Sequence, residues 1–141
     1  MDDQFARIEK HKALVKRISG ELTVRDAVFS GVSGAVMRSI PVGGAQLAFV
    51  KCYTTTRCKR RNDSIHWRYT KTALKFDLIE NVRVAKTNRV LLDLCMETDA
   101  VSCLIALNHC LHLKMTTPEK IMETIGKYSK VPGKKRILAL L

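Results

Sequence analysis

The sequence predicts an α+β fold, a mixed or antiparallel sheet of about five strands with two or three short helices packed on it. Large apolar and polar side chains alternate through the middle of the chain, as strands require, and Ile65, Trp67 and Tyr69 show the pattern best. Helical spacing of apolar residues occurs before this region and again near the C-terminus. Hydrophobic residues make up 46% of the chain and only ten residues are Gly or Pro, so we expect a folded domain rather than a disordered basic chain.

The length of 141 residues corresponds to one domain, residues 1–141, which ends in a basic and apolar tail at residues 131–141. No apolar run reaches the roughly 18 residues of a transmembrane helix, and the N-terminus lacks the pattern of a signal peptide. Asp2 stands where myristoylation requires glycine. We therefore expect a cytosolic or nuclear protein whose membrane contact is peripheral.

The N-terminal region predicts a strand and a short helix. Residues 4–20 are mixed, because Phe5, Ile8 and Lys12 fit one face of a helix, whereas residues 13–20 look more like the lead-in to a strand. A strand is expected at residues 21–24, and the apolar spacing that follows predicts a short, closely packed helix over residues 26–37. Gly31 and Gly34 weaken this helix by about 1 kcal/mol each relative to Ala.

A strand and an exposed basic loop should follow. Pro41 disfavours helical geometry in the residue before it, so the helix should end near Ile40. After a glycine turn at residues 43–44, β-branched and aromatic residues predict a strand over residues 46–56. Residues 57–63 hold four basic side chains and almost no apolar ones, which predicts an exposed loop.

Alternation then continues with a change of phase. Ile65, Trp67 and Tyr69 should share one face of a strand, and we interpret Trp67 and Tyr69 as core residues rather than as a stacking surface. The alternation resumes at Leu74, Phe76 and Leu78, one residue out of step with the first strand, and predicts a further strand of the sheet. The shift indicates a bulge or a turn at residues 71–73.

Two apolar runs, residues 89–96 and 101–115, flank a polar segment. The alternation within the second run favours a β-hairpin. The other interpretation is that the second run is a helix capped by Thr98 or Asp99. The alternating residues of the second run are Leu107, His109, Leu111 and Leu113.

A final helix has clear boundaries in the sequence. Thr116 and Glu119 form a capping box, and Pro118 suits the first turn. Apolar residues should line one face of this helix, which ends near Lys130. Those residues are Ile121, Ile125 and Tyr128.

The cysteines are odd in number and show no close pairing. In a chain with no predicted secretory route, we expect reduced thiols, mostly buried as small hydrophobic side chains, and no disulfide. The five cysteines are Cys52, Cys58, Cys95, Cys103 and Cys110.

The sequence does not predict an enzyme or a cofactor. Glycine-rich phosphate loops, nucleophile elbows and zinc-protease motifs are all lacking. Among the acids, Asp93, Glu97 and Asp99 are the densest group, but the last two should lie in a solvated turn. Cys110 has histidine neighbours, yet adjacent residues of a strand point to opposite faces.

A zinc site is also not predicted, although enough ligand types are present. The candidates are adjacent or too widely spread, whereas structural zinc sites place paired ligands two to five residues apart. Buried cysteines with surface histidines explain the pattern more simply. The candidates are the pair Cys52 and Cys58 and the cluster Cys103, His109, Cys110 and His112.

Charge gives the strongest functional signal. Residues 51–90 carry eleven Lys and Arg against three acids, a net charge of +8 out of +12 for the whole chain. Such a surplus indicates binding to a polyanion, because phosphates attract Lys and Arg and release counterions. The C-terminal basic residues are a second candidate patch or a localisation signal, and they are Lys127, Lys130, Lys134, Lys135 and Arg136. The predicted polyanion-binding residues are Lys51, Arg57, Lys59, Arg60, Arg61, Arg68, Lys71, Lys75, Lys134, Lys135 and Arg136.

The order of elements resembles that of matrix proteins of negative-strand RNA viruses, in particular those of plant rhabdoviruses. The likeness rests on a strand at residues 21–24, a helix at 26–37, a strand at 46–53, a basic loop, further strands and a late helix, and it covers most of the chain. No motif is shared. The sequence lacks the Pro-rich budding motifs of many animal-virus relatives, so the resemblance does not imply a partner in the escort machinery.

The resemblance implies a non-enzymatic virion protein that self-associates as a homo-oligomer, condenses the nucleocapsid or its RNA, and binds the anionic membrane peripherally. Its location would be the host cytoplasm or nucleus and the virion. The alternative is a small RNA-binding viral regulator, such as a silencing suppressor.

Overall fold

The computed structural model describes residues 2–21, 27–55, 64–127 and 134–140. This part of the chain contains six helices and five strands. The helices are α1 (Asp2–Glu21), α2 (Gly31–Met37), α3 (Thr87–Glu97), α4 (Ala100–His112), α5 (Pro118–Lys127) and α6 (Lys134–Leu140). The strands are β1 (Val28–Phe29), β2 (Val50–Thr54), β3 (Ile65–Tyr69), β4 (Phe76–Ile79) and β5 (Val82–Ala85).

The strands form one mixed sheet in the order β3-β2-β1-β5-β4, which confirms the predicted α+β class and the predicted five strands. The short strand β1 lies in the middle, antiparallel to β2 and parallel to β5. The outer pairs are parallel β2 and β3 and antiparallel β4 and β5. The described residues hold more helices than the two or three expected.

The helices pack in two groups, one against the sheet and the other against α3. α1 and α2 pack on each other and on β2 and β5, and α2 also packs on α3. α4, α5 and α6 all pack on α3. Six consecutive residues of α3, from Val90 to Cys95, are buried, and so is every residue of α2. The sheet and these two helices therefore form the core.

The helix predicted at residues 26–37 is shorter in the structure. Val28 and Phe29 belong to β1, and the helix begins only at Gly31, whose φ of 59° is the left-handed conformation that glycine tolerates best. It ends at Met37, close to the predicted end. The following strand is also shorter than residues 46–56, because only residues 50–54 pair with neighbours.

Residues 4–20 all lie in the long helix α1, which ends at Glu21, so the expected lead-in to a strand at residues 13–20 is wrong, and so is the expected start of a strand at residue 21. The buried face of α1 carries His11, Val15 and Ile18. Burial lowers the pKa of His11, which keeps the imidazole neutral. Its Nδ1 lies 2.8 Å from the Leu47 carbonyl oxygen and its Nε2 lies 3.0 Å from Ser33 Oγ. His11 therefore links α1 to α2 and to the loop before β2.

The predicted hairpin at residues 89–115 is wrong. Both apolar runs are helices, α3 and α4, and the alternative interpretation, a helix capped by Asp99, is correct. The Asp99 carboxylate accepts hydrogen bonds from the Ser102 backbone N–H at 2.8 Å and from its hydroxyl at 3.0 Å. The buried hydrophobic residues of α4 recur at helical spacing, and the alternation of apolar residues in the second run therefore did not indicate a strand. They are Cys103, Ala106, Leu107 and Cys110.

The expectation that no disulfide forms is also wrong. Cys95 and Cys103 are joined, with their Cα atoms 5.0 Å apart. Cys95 lies at the end of α3 and Cys103 at the start of α4, so the tight turn between the helices brings the two side chains together. As predicted, the remaining described cysteines, Cys52 and Cys110, are buried.

The last predicted helix exists as α5, and Ile121 and Ile125 are buried as expected. Its cap is different, because the Lys120 backbone N–H donates to Thr117 Oγ1 at 3.2 Å. Thr116, the predicted cap, instead donates its hydroxyl hydrogen to Asn88 Oδ1.

The C-terminal tail contains the helix α6, which packs on α3 and α4 with Ile137 fully buried. Several expectations lie outside the described residues: the strand at 21–24 except for its first residue, the loop at 57–63, Tyr128, the end of the last helix near Lys130, and the start of the tail. Within the described ranges, no helix is both long enough and apolar enough to cross a bilayer.

Candidate polyanion-binding site

A cleft of about 450 Å³ opens between the β4–β5 hairpin, the start of α3, and α5. We call it the basic cleft, because five cationic side chains line it against two carboxylates. The polar side chains Thr87, Asn88, Thr116 and Thr124, together with Met115, complete the lining. The cations are Lys75, Lys86, Arg89, Lys120 and Lys127, and the carboxylates are Asp77 and Glu123.

Hydrogen bonds between α3 and α5 hold this cleft together. Asn88 Nδ2 donates to Thr124 Oγ1 at 3.1 Å, and Asn88 Oδ1 accepts from the Thr116 hydroxyl. This contact fixes α5 beside the start of α3. Lys120 and Lys127 are seven residues apart on α5, so both lie on one side of the helix and line the cleft together.

Part of the positive charge in the cleft is neutralised, and Arg89 pairs with the buried Asp93 at 3.2 Å. Asp77 accepts hydrogen bonds from Lys86 and, at 2.7 Å, from Arg38, and these two partners lower the pKa of its carboxyl group. Lys127 lies 3.5 Å from Glu123 in an exposed pair, which contributes little to stability. Within the described part of the chain, Lys75 and Lys120 form no ion pair. The cleft therefore keeps a surplus of positive charge.

The start of α3 adds to this surplus. Lys86 precedes the helix, no side chain caps its first turn, and that turn has no acidic residue. The N-terminus of a helix carries a partial positive charge from its unbonded N–H groups, and here that charge reinforces the lysines.

The predicted polyanion-binding residues do not all meet at the cleft. Lys75 lines it, whereas Lys51 and Arg68 lie on the far side of the sheet order, on β2 and β3. Lys51 Nζ lies 2.7 Å from His66 Nδ1, and Arg68 donates to Met96 Sδ at 3.5 Å. Neither cation is paired with a carboxylate in the described ranges, so this second basic area also keeps its charge.

Lys71 and Lys135 are exposed, and Lys134 is half-buried. Arg136 has a structural contact, because its guanidinium donates to the carbonyl oxygens of Cys95, at 2.7 Å, and Thr98 at the end of α3. The four predicted residues of the basic loop, Arg57, Lys59, Arg60 and Arg61, lie outside the described residues.

The two aromatic residues of β3 differ in their surroundings. Trp67 is half-buried and packs against the core, in line with the prediction. Tyr69, predicted to be a core residue, is 47% exposed, because β3 is an edge strand. Of the two aromatic residues that were predicted to be core, only Tyr69 therefore presents its ring at the surface.

A buried polar cluster links the sheet to α3 and was missed by the sequence interpretation. Asp93 accepts hydrogen bonds from the hydroxyl groups of Ser30, at 2.6 Å, and Tyr53, at 2.9 Å. Arg89 donates to Asp93 at 3.2 Å and to the Tyr53 oxygen at 2.9 Å, and its guanidinium carbon lies 4.9 Å from the centre of the Tyr53 ring. The one signal in the sequence is the spacing of four between Arg89 and Asp93.

Glu97 was expected in a solvated turn, and it is instead half-buried at the end of α3. Burial raises the pKa of its carboxyl group to about 7, although the hydrogen bond from Val32 and the charges of Lys51 and Arg68 oppose this rise. Glu97 also lines a second cleft of about 360 Å³, together with Gly44, Gln46 and Lys51. Asp99, in the same predicted turn, is exposed as expected.

The candidate nucleophile Cys110 lies in the core, where burial raises the pKa of its thiol to about 11. Such a thiol is protonated near neutral pH and is a poor nucleophile. His11 and Ser33 form a histidine–hydroxyl pair, but both side chains are buried between α1 and α2. No group of three potential metal ligands occurs in the described ranges.

Comparison with known proteins identifies no relative of the chain. No family model matches it, and neither a curated protein nor a solved structure is significantly similar to it.

Proposed function

We propose that this protein is a non-enzymatic, matrix-like structural protein that self-associates and binds phosphate-rich polyanions, with the basic cleft as a principal contact. The observation that carries the proposal is the surplus of lysine and arginine around a cleft of about 450 Å³, in which Lys75 and Lys120 form no ion pair with any described carboxylate. An anionic ligand would neutralise that surplus and release counterions.

The second basic area supports an extended ligand rather than a single small anion. Lys51 and Arg68 lie at the other end of the sheet order from Lys75, and Tyr69 is exposed on the same edge strand as Arg68 but on its opposite face. A nucleic acid or a nucleoprotein can contact several separated cationic groups, and bases can stack on an exposed aromatic ring. These features favour RNA or nucleoprotein as the main ligand, with an anionic membrane surface as a further partner.

The test compares RNA and lipid directly across a salt series. Filter binding measures the affinity for short single-stranded and duplex RNA, and flotation measures binding to vesicles with and without anionic lipid. We expect the logarithm of the affinity for RNA to fall linearly with the logarithm of the salt concentration. Vesicles with anionic lipid should bind more weakly than RNA, and vesicles without anionic lipid should not bind.

The result also separates the matrix-like role from the alternative. Binding to both RNA and anionic vesicles supports the matrix-like protein, whereas tight binding to RNA with no binding to anionic vesicles supports an RNA-binding regulator. Binding to neither, or binding that is insensitive to salt, would overturn the proposal of a polyanion-binding protein.

A further inference from the structure

The helix α4 presents a second kind of surface, which is apolar and uncharged. Val101 is 68% exposed, Leu104 37% and Ile105 50%. Asn108 and His112 are also exposed, and the spacing of these five residues places them in one stripe along the helix. We call this stripe the neutral face of α4.

The opposite side of α4 is already used by the fold. Cys103, Ala106, Leu107 and Cys110 are buried there, so the helix is apolar on two sides. A surface helix of a monomer is normally apolar on one side only, and a second apolar side indicates a contact surface. The helix α6, which packs on α4, also carries an exposed apolar residue, Leu138, which is 39% exposed.

Charge indicates what covers the neutral face. Residues 100–112 contain no Lys, Arg, Asp or Glu, although 27% of the chain is charged and its net charge is +12. Two copies that meet through cationic surfaces repel each other. In a two-fold contact the same patch occurs on both partners, so a patch without charge is the kind that can face its own copy.

The same feature argues against a lipid surface as the occupant. Helices that lie in the membrane interface combine an apolar side with Lys and Arg, which bind anionic headgroups. α4 has neither residue type, and the basic cleft is lined by α3, α5 and the β4–β5 hairpin instead.

We infer that the neutral face of α4 is the surface through which two copies of this chain associate about a two-fold axis. Self-association is part of the proposed function, and the inference rests on that part of it, whereas polyanion binding is not required. Ile105 lies near the middle of the stripe, so the two copies of this residue should lie close together in the contact.

Sedimentation velocity of the full chain, freed of nucleic acid, tests the inference in about 1 M salt, where charge repulsion is screened. We expect concentration-dependent dimers. Ile105→Glu and Ile105→Lys should each weaken dimerisation by more than about tenfold. The matched control is Leu78→Lys on β4, because Leu78 is 66% exposed but lies away from α4. Circular dichroism verifies that each variant is folded.

A mixture of the two Ile105 variants then distinguishes a direct contact from a loss of stability. At about 0.15 M salt, where charges interact over about 8 Å, the mixture should form dimers that neither variant forms alone. A wild-type protein that stays monomeric, a dimer that the Ile105 variants do not weaken, or a mixture without dimers would each overturn the inference. The same samples titrated with RNA show whether polyanion binding persists in the monomeric variants, so the two proposals fail separately.

Discussion

The carboxylate of Glu97 accepts a hydrogen bond of 2.9 Å from the backbone N–H of Val32 and thereby joins the end of α3 to the first turn of α2. This contact requires glycine at position 31. A Cβ atom placed on Gly31 would lie 2.1 Å from Glu97 Oε1. The position of the Glu97 carboxylate therefore depends on Gly31, which adopts the left-handed conformation and leaves room for it.

Stability should fall as pH rises because of Glu97. Burial raises the pKa of its carboxyl group from 4.5 to about 7 in the folded protein. The folded chain thus binds more protons than the unfolded chain between these values, and the free energy of unfolding should fall by up to about 1.4 kcal/mol per pH unit in that window. Glu97→Gln keeps an oxygen acceptor for Val32 and removes the charge.

Urea unfolding at pH 4.5 and pH 8 measures this effect. Glu97→Gln should change stability little at the lower pH and raise it by about 2–3 kcal/mol at the higher pH. Glu9→Gln, at an exposed position of α1, is the matched control and should change neither value. An equal effect of Glu97→Gln at both pH values would contradict the account.

Gly31→Ala should destabilise the protein by at least about 2 kcal/mol, because alanine is strained at a φ of 59° and its methyl group meets the Glu97 carboxylate. In a Glu97→Ala background the steric part of this cost should disappear. Gly20→Ala is the control, since nothing lies within 4 Å of its Cβ position, and it should stabilise α1 by about 0.5–1 kcal/mol. Equal costs of Gly31→Ala in both backgrounds would rule out the contact.

Asp93→Asn should destabilise the protein by about 3–5 kcal/mol, because it leaves the Arg89 guanidinium without its charged partner, and the side chains of Arg89 and Asp93 are only 12% and 3% exposed. Tyr53→Phe removes one hydroxyl group and should cost about 1–2 kcal/mol. Guanidinium chloride unfolding measures both, with the exposed Asp3→Asn as control. A cost of Asp93→Asn no larger than that of Tyr53→Phe would show that the ion pair is not formed.

Peptide mapping after alkylation without reductant should find Cys95 linked to Cys103, and Cys110 alkylated. The bridge closes a loop with a sequence separation of eight residues, so reduction should lower stability by about 2–3 kcal/mol. Cys95→Ser, which cannot form the bridge, serves as the control, because the reductant should leave its stability unchanged. Recovery of Cys95 and Cys103 as separate alkylated peptides would contradict the bridge. The glutathione pool of the cytosol would favour the reduced form.

The sequence predicts best the elements that have one exposed side. Ile65 and Trp67 alternate with exposed residues along an edge strand, and Ile121 and Ile125 repeat along an exposed helix, so period and burial agree at these positions, whereas Tyr69 is exposed at the end of its strand. α3 is different, because residues 90–95 are buried on every side and therefore show no period. In α1 the buried face includes His11, a polar residue that an apolar pattern omits.

The candidate site could be predicted only in part. The charge surplus of residues 51–90 locates Lys75, but Lys120 and Lys127 come from a helix far along the chain and reach the cleft only through the packing of α5 on α3. The disulfide was missed for a similar reason, because Cys95 and Cys103 become neighbours only once two helices replace the predicted hairpin.

The salt dependence of RNA binding by a Lys75→Gln, Lys120→Gln double variant tests the central claim most directly. If both lysines contact phosphates, the slope of log affinity against log salt concentration should become shallower by about two, about one for each lysine. Lys10→Gln with Arg17→Gln is the matched control, since both residues are exposed on α1 and neither lines the basic cleft. We predict that only the cleft variant loses slope; equal slopes for wild type and cleft variant would contradict the basic cleft as the polyanion-binding site.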